Sequence, residues 1–340
     1  MAKFDPPVLY SGASALWWRL GCALLLYCGV ATGVAAEWHR QQVDIMGTRI
    51  AVELWHEDAQ AARRCSEAVF TEMRRIDARM STYRESSELS RINAGASDGA
   101  VEISAELRHL VERSLHFSRI SRGAFDITYA SVGYRYDYRQ RQQPDEAWLG
   151  RQLSAVDYRH VELGDGSIRF RAPGVRIDLG GIAKGYAVDR AVELLRGCRV
   201  ARAMVSAGGD SRIVGDRDGR DWVIGIKHPR NPDAIALRLP LRDIAVSTSG
   251  DYERFFIDDG ERVHHIIDPK TGRSAGLSWS ATVIGPDAMT TDALSTTIFI
   301  LGAVEGLALI ESLAEIDAII IDSNGKVHYS SGFQDPAATE

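Results

Sequence analysis

The chain has 340 residues, 45% of them hydrophobic and 25% charged, an ordinary globular composition with length enough for one large domain or two closely packed lobes. The formal net charge is -6, and the basic patch that a nucleic-acid partner would require is not visible in it. Its four cysteines form no Cys-x-x-Cys and no Cys/His cluster, so nothing points to zinc or iron-sulfur.

Residues 1–36 differ from the rest. Lys3 and Arg19 are their only basic side chains, and an uncharged apolar run from Leu20 to Ala36 ends Val34-Ala35-Ala36 before the polar Glu37. This pattern predicts a secretory signal peptide cleaved after Ala36, and with it export to the periplasm or the outer face of the inner membrane. The alternative is an uncleaved membrane anchor starting near Trp17, with Arg19 snorkelling to the interface. Cys22 and Cys28 both lack the sequence context of a lipidation site. Cleavage would remove two positive charges and Asp5, taking the net charge from -6 to -7. It would leave Cys65 and Cys198, and two readings of them are open: a disulfide in an oxidising compartment, or two buried thiols.

Residues 37–340 read as one domain. Residues 47–55 alternate as a strand. Asp58 caps a helix to about Arg79, with Ala62, Cys65, Val69, Met73 and Ile76 at helical spacing, and Ser104 caps a second helix through Ile120. A hairpin is expected over 158–171 around Gly164-Asp165-Gly166, then a buried strand from Val175 to Leu179 and a helix from Ala183 to Arg196. Strands follow at 202–206, 210–214, 221–227, 235–239, 244–248, 262–267 and 279–284. Helices are expected from Met289 to Leu301 and near 304–314, with a terminal hairpin at Asn324-Gly325. Strands and helices come in blocks, which predicts an α+β fold. No Gly-x-Gly-x-x-Gly follows the early strand, so a Rossmann site is not supported.

Three constellations carry possible chemistry. In Asp178-Leu-Gly-Gly-Ile-Ala-Lys184-Gly-Tyr-Ala-Val-Asp189, paired glycines lead into a helix whose N-terminus favours phosphate, with Lys184 one turn in; a plain strand-to-helix turn with a solvated lysine reads the same way. In Thr290-Thr291-Asp292-Ala-Leu-Ser-Thr296, Asp292 and Thr296 share one helical face and offer the hard oxygens that suit magnesium. An acid in a first turn also stabilises a helix with no metal present. In Asp251-Tyr-Glu-Arg254…Val263-His264-His265-Ile266-Ile267-Asp268-Pro269-Lys-Thr-Gly272, the pleat should send the two histidines to opposite faces, and either has the chemistry of a base near neutral pH; a turn closed by Asp268-Pro269 beside partly exposed histidines reads the same way. Met80-Ser-Thr-Tyr83 and Gly123-Ala-Phe-Asp126 join aromatic and polar groups on loops that could hold a flat ring.

Taken in order, Met46-Gly47-Thr48, Ser81-Thr82-Tyr83, Gly123–Asp126, the 178–189 segment, Ser206-Ala-Gly-Gly-Asp210, Ser247-Thr-Ser-Gly250, His265-Ile-Ile-Asp-Pro269 and Asp292-Ala-Leu-Ser-Thr296 resemble the ApbE family of flavin transferases. The resemblance implies an α+β fold of two packed lobes with mixed or antiparallel sheets, flanking helices and FAD in the cleft between them. It implies magnesium-dependent transfer of FMN from FAD to a Ser or Thr of an acceptor redox flavoprotein, with release of AMP. Met46, Tyr83, Ala124, Phe125, Asp126, Asp178, Lys184 and Ile266 match family positions that hold the flavin nucleotide. Magnesium would be held by Asp292, Thr296 and the carbonyl of Gly181, where many members carry alanine. His265 matches a histidine assigned to activating the acceptor hydroxyl, with Asp178 as the second candidate for the catalytic base. Two other activities stay open: hydrolysis of FAD to FMN and AMP, and flavin binding without catalysis.

Overall fold

A computed structural model describes residues 37–333; the leader or anchor expected over 1–36 lies outside them. Chain entry is a hairpin, β1 (Glu37–Ile45) and β2 (Thr48–His56), closed by Met46-Gly47. Both turn residues have positive φ, 55° and 67°, the two-residue turn whose twist suits a hairpin. Next come α1 (Ala59–Met80), α2 (Glu88–Gly95), the two-residue β3 (Val101–Glu102) and α3 (Ala105–Ile120). Each of these helices starts on a side-chain cap: Asp58 accepts from the Gln60 and Ala61 amides, Ser87 from Ser90 and Ser104 from Leu107. Short helices α4 (Ala130–Gly133) and α5 (Glu146–Gln152) precede β4 (Val161–Leu163) and β5 (Ser167–Phe170), which pair with β3 in a three-stranded sheet of order β3-β5-β4.

Then follow α6 (Ala183–Gly197), the hairpin β6 (Ala203–Ala207) and β7 (Asp210–Val214), the hairpin β8 (Trp222–His228) and β9 (Asn231–Leu241), and β10 (Ala245–Gly250). A third hairpin, β11 (Phe255–Asp258) and β12 (Glu261–His264), leads to β13 (Ser278–Gly285). After α7 (Ala288–Glu311), β14 (Asp317–Asp322) and β15 (Val327–Tyr329) close the fold. The large sheet has eight strands in the order β1-β2-β6-β7-β10-β13-β14-β15, antiparallel throughout. It is therefore a meander in chain order, and the helices and smaller sheets are excursions from it.

The main core lies between one face of this sheet and α1, α6 and α7, and extends without a break under α2, α3 and the three-stranded sheet. On the opposite face, Ile226 and Leu239 of the β8–β9 hairpin pack on Val246, Ile284 and Ile319. Helix α7 is long and apolar enough to cross a membrane, yet it packs on β10, β13, β14 and α6 as the central core helix. Gly302, at φ 72° and ψ -177°, breaks its helical path, which accounts for the two helices the sequence predicts there.

Other expectations shift. Val175–Leu179 is not a strand. Its polar groups are satisfied from side: the Ile177 amide donates to Asn93 Oδ1 (2.8 Å), Asn93 Nδ2 donates to the Ile177 carbonyl (2.8 Å), and the Arg176 amide donates to Ser131 Oγ (3.0 Å). Strand β12 ends at His264, so His265 to Ile267 leave the sheet, and β9 extends from 231 to 241. Cys65 and Cys198 are disulfide-bonded, Cα–Cα 6.3 Å, joining α1 to the residue that caps α6. This decides between the two readings left open for the pair.

Candidate functional site

Asp178 sits where three segments converge. Its Oδ1 accepts from the Gly180 amide (2.6 Å) and from Tyr129 Oη (3.2 Å), and its Oδ2 accepts from Thr82 Oγ1 (3.0 Å). One carboxylate thus ties the Ser81-Thr82-Tyr83 loop and the turn after Asp126 to the Gly180-Gly181 turn. Tyr129 is half-buried, and desolvation first and Asp178 second hold its phenol well above the usual range, so it stays a donor. Tyr83, beside Thr82, is 91% exposed, a large aromatic face at the surface.

Ala124, Phe125 and Asp126 are buried. The Phe125 ring lies under the glycine turn: a Cβ built on Gly181 would come 3.2 Å from Phe125 Cε2 and 3.6 Å from Thr296 Oγ1. Asp126 is engaged within the chain, accepting from the Thr128 amide (2.8 Å), Thr128 Oγ1 (2.6 Å) and the Tyr158 amide (2.8 Å). Burial, opposed by these hydrogen bonds, pushes its carboxyl up to about 6. What this segment can offer a ligand is main chain and ring rather than a free carboxylate.

Helix α6 has no side-chain cap: its N-cap is Ile182. Its first turn is set against the first turn of α7. Asp292 Oδ2 accepts the Gly185 amide (2.9 Å), and Lys184 Nζ reaches Asp292 Oδ1 (3.4 Å) and, more closely, Asp210 Oδ2. Asp210 and Asp292 are each 2% exposed. Burial, then the neighbouring Asp210, pushes the Asp292 carboxyl well above the usual range. Burial also acts against the Lys184 charge, but the two aspartates outweigh it and the ammonium is held above its ordinary value. One turn along α7, Thr296 Oγ1 lies 3.2 Å from Ser249 Oγ, and Ser249 also bonds Ser295 (2.9 Å).

The two histidines have different surroundings. His264 is buried, its Nε2 2.9 Å from the Ala275 carbonyl and its ring edge-on to Phe299. His265 lies just past the strand end; its amide donates to the Arg254 carbonyl (3.2 Å), and its Nδ1 is buried without a partner. Burial, then the charges of Arg254, His264 and Lys184, pull the imidazole down to about 3, so it is neutral at physiological pH. Arg254 Nη2 also donates to the Gly47 carbonyl (3.1 Å), which draws the Met46-Gly47 turn to this side. Ile266 is buried next to His265.

The structure thus brings Asp178 together with Thr82, beside Tyr83, and Gly181, Lys184, Asp292 and Thr296 together at the α6–α7 junction. Lys184 is close enough for its charge to act on His265. Met46 belongs to the same rim through Arg254. Sequence reasoning passed over Tyr129 and gave no role to Asp210, Ser249 or Arg254. The signal for Asp210 and Ser249 was present, since each sits in one of the short motifs, Ser206–Asp210 and Ser247–Gly250. Among the described residues, no three His, Cys, Asp or Glu side chains gather as a metal-binding group. Asp292 and Thr296 bring one carboxylate and one hydroxyl to the Gly181 turn.

A family model described as the ApbE family matches residues 46–320. A Treponema pallidum protein named FAD:protein FMN transferase is 31% identical over 95% of this chain and 96% of its own length. A Haemophilus influenzae protein of the same name is 32% identical over 86% of each. Among solved structures, the Thermotoga maritima ApbE protein superposes with a TM-score of 0.80 at 34% identity, covering 87% of this chain and 98% of that one. The Vibrio cholerae flavin transferase ApbE superposes with a TM-score of 0.79 at 28% identity, covering 88% and 98%. With this coverage and the same architecture, the chain belongs to the ApbE family.

Proposed function

We propose that this protein transfers the FMN half of FAD to a serine or threonine of an acceptor redox flavoprotein and releases AMP. The observation that carries the reading is the α6–α7 junction, where Lys184, the buried Asp292 carboxylate and the half-buried Thr296 hydroxyl come together beside the Gly181 turn. The names of the relatives, FAD:protein FMN transferase, support the same reaction.

The roles follow from chemistry. Phe125 and the main chain at 124–126, with Tyr83, Met46 and Ile266, would hold the flavin nucleotide. Lys184, in the first turn of α6, would meet its pyrophosphate with its ammonium. Asp292, Thr296 and the Gly181 carbonyl would hold magnesium, which supplies a Lewis acid for the charge that grows on the departing AMP phosphate. The acceptor oxygen attacks the phosphorus of the FMN half, the bond from that phosphorus to the bridging oxygen breaks, and AMP leaves with the oxygen. His265, whose imidazole is neutral at physiological pH, would take the proton of the acceptor hydroxyl. Asp178 is spent on Gly180, Tyr129 and Thr82, which suits fixing the walls of the site better than proton transfer.

Export fits the same picture. A disulfide persists in an oxidising compartment. Together with the apolar leader ending at Ala36, this supports a domain of 37–340 acting outside the cytoplasm, free or tethered. The test is to incubate the mature protein with FAD, magnesium and a candidate acceptor. Flavin fluorescence should stay with the acceptor on a denaturing gel; fluorescence that never becomes covalent would reject the transferase reading.

A further inference from the structure

Asp210 lies at the start of β7, remote in sequence from both helices, and its buried side chain has one hydrogen-bond partner among the described residues, Lys184. Resting on the magnesium reading above, we propose that Asp210 is a positioning residue that couples metal binding to dinucleotide binding. It shares the Lys184 ammonium with Asp292 and so limits its competition with a divalent cation there, and a pyrophosphate relieves what competition is left.

The two oxygens of Asp292 are not equivalent. Oδ2 is tied to the Gly185 amide, so the oxygen open to a cation is Oδ1, and Lys184 faces Oδ1 at 3.4 Å. A divalent ion that takes Asp292 therefore meets an ammonium at the same oxygen. Charge sums point the same way. Asp210, Asp292 and Lys184 total one negative charge, and a divalent ion would leave a buried excess of one positive charge. The pyrophosphate diester of FAD brings two negative charges, so metal, lysine and dinucleotide together return the sum to one negative. Asp210 takes the closer share of the lysine, drawing it off Asp292 Oδ1 while keeping it at hand for a phosphate oxygen. Metal and FAD then each raise the other's affinity by the same factor, as linkage requires.

The test uses Mn2+ as probe, followed by electron paramagnetic resonance, on the mature protein without nucleotide. Lys184→Met removes the competitor and should bind Mn2+ about tenfold tighter or more than wild type, within the usual range of coupling. Asp210→Asn leaves Lys184 with Asp292 alone and should bind Mn2+ more weakly than wild type. In fluorescence titrations, magnesium should tighten FAD binding by about tenfold in wild type and by clearly less in Lys184→Met. If Lys184→Met leaves two unpaired carboxylates and does not fold, Lys184→Met combined with Asp210→Asn retains one and should still bind Mn2+ tighter than Asp210→Asn. Equal affinities, or shifts of both single variants in one direction, would overturn the proposal. The metal reading is tested separately: Mn2+ binding by wild type with FAD should vanish in Asp292→Asn, and its absence in wild type would remove both readings.

Discussion

The Gly185 amide donates to Asp292 Oδ2 at 2.9 Å, so the first turns of α6 and α7 are joined at the carboxylate that anchors the site. The approach leaves no room for a side chain. A Cβ on Gly185 would fall 2.1 Å from the Ala288 carbonyl oxygen and 2.8 Å from Asp292 Cβ. Gly185→Ala must therefore push the helices apart, at a cost of about 3 kcal/mol or more. Thermal melting should drop clearly and FAD turnover should fall with it; a variant with wild-type melting would contradict this packing.

Asp292→Asn keeps an acceptor for the Gly185 amide and removes the charge. The fold should survive, with melting close to wild type. FMN transfer should fall by roughly a thousandfold, taking several kcal/mol of charge stabilisation at about 1.4 kcal/mol per factor of ten. Steady-state transfer beside a melting curve checks both halves, and near-normal transfer in magnesium would exclude Asp292 as a ligand.

His265→Ala should lower the saturated transfer rate by about 10²–10⁴-fold, as loss of a general base does, with little change in melting. His264→Ala should do the reverse, because His264 bonds the Ala275 carbonyl and packs on Phe299 inside the core. Extra FAD that restores the His265 variant would point to a binding role.

The same histidine makes an acid-stability prediction. Burial and the charges of Arg254, His264 and Lys184 pull His265 to about 3, below its unfolded value of 6.5. Between these two values the unfolded chain binds the proton and the folded chain does not, so stability falls as the pH drops from 6.5 towards 3. Wild type should lose melting temperature across this window faster than His265→Gln, which has nothing to protonate. Parallel slopes would contradict a buried neutral imidazole.

Much of this was legible in the sequence because helix starts announce themselves: Asp58 and Ser104 cap where expected, and the 178–189 and 290–296 segments both open helices at the site. Val175–Leu179 misled because its apolar alternation is real but its backbone partners are Asn93, Ser131 and Ile127, which periodicity does not reveal. Strand β1 escaped notice because Glu37–Ile45 is largely polar at the sheet edge. Asp210 reads locally as the exit of a Gly-Gly hairpin turn, and only the sheet order places it against Lys184. The histidine pair was expected to split across a pleat. It does split, but because the strand ends between the two residues.

The Cys65–Cys198 bond closes 133 residues of sequence separation. In the chain-entropy account, a loop of that size stabilises by about 5 kcal/mol. Replacing both cysteines by serine should lower melting by roughly 10 °C, at about 2 °C per kcal/mol for a domain of this size. Melting unchanged by the replacement or by reductant would show that the bond adds nothing to the fold.

The most direct test of the central claim counts products. Mature protein, FAD, magnesium and a purified acceptor are incubated together, and the acceptor's intact mass is measured alongside the AMP released. The account predicts that the acceptor gains the mass of FMN less one water, with one AMP appearing for each modified chain and no modification when the target Ser or Thr is alanine. Free FMN and AMP in equal amounts, with the acceptor mass unchanged, would contradict transfer and leave hydrolysis as the activity of this site.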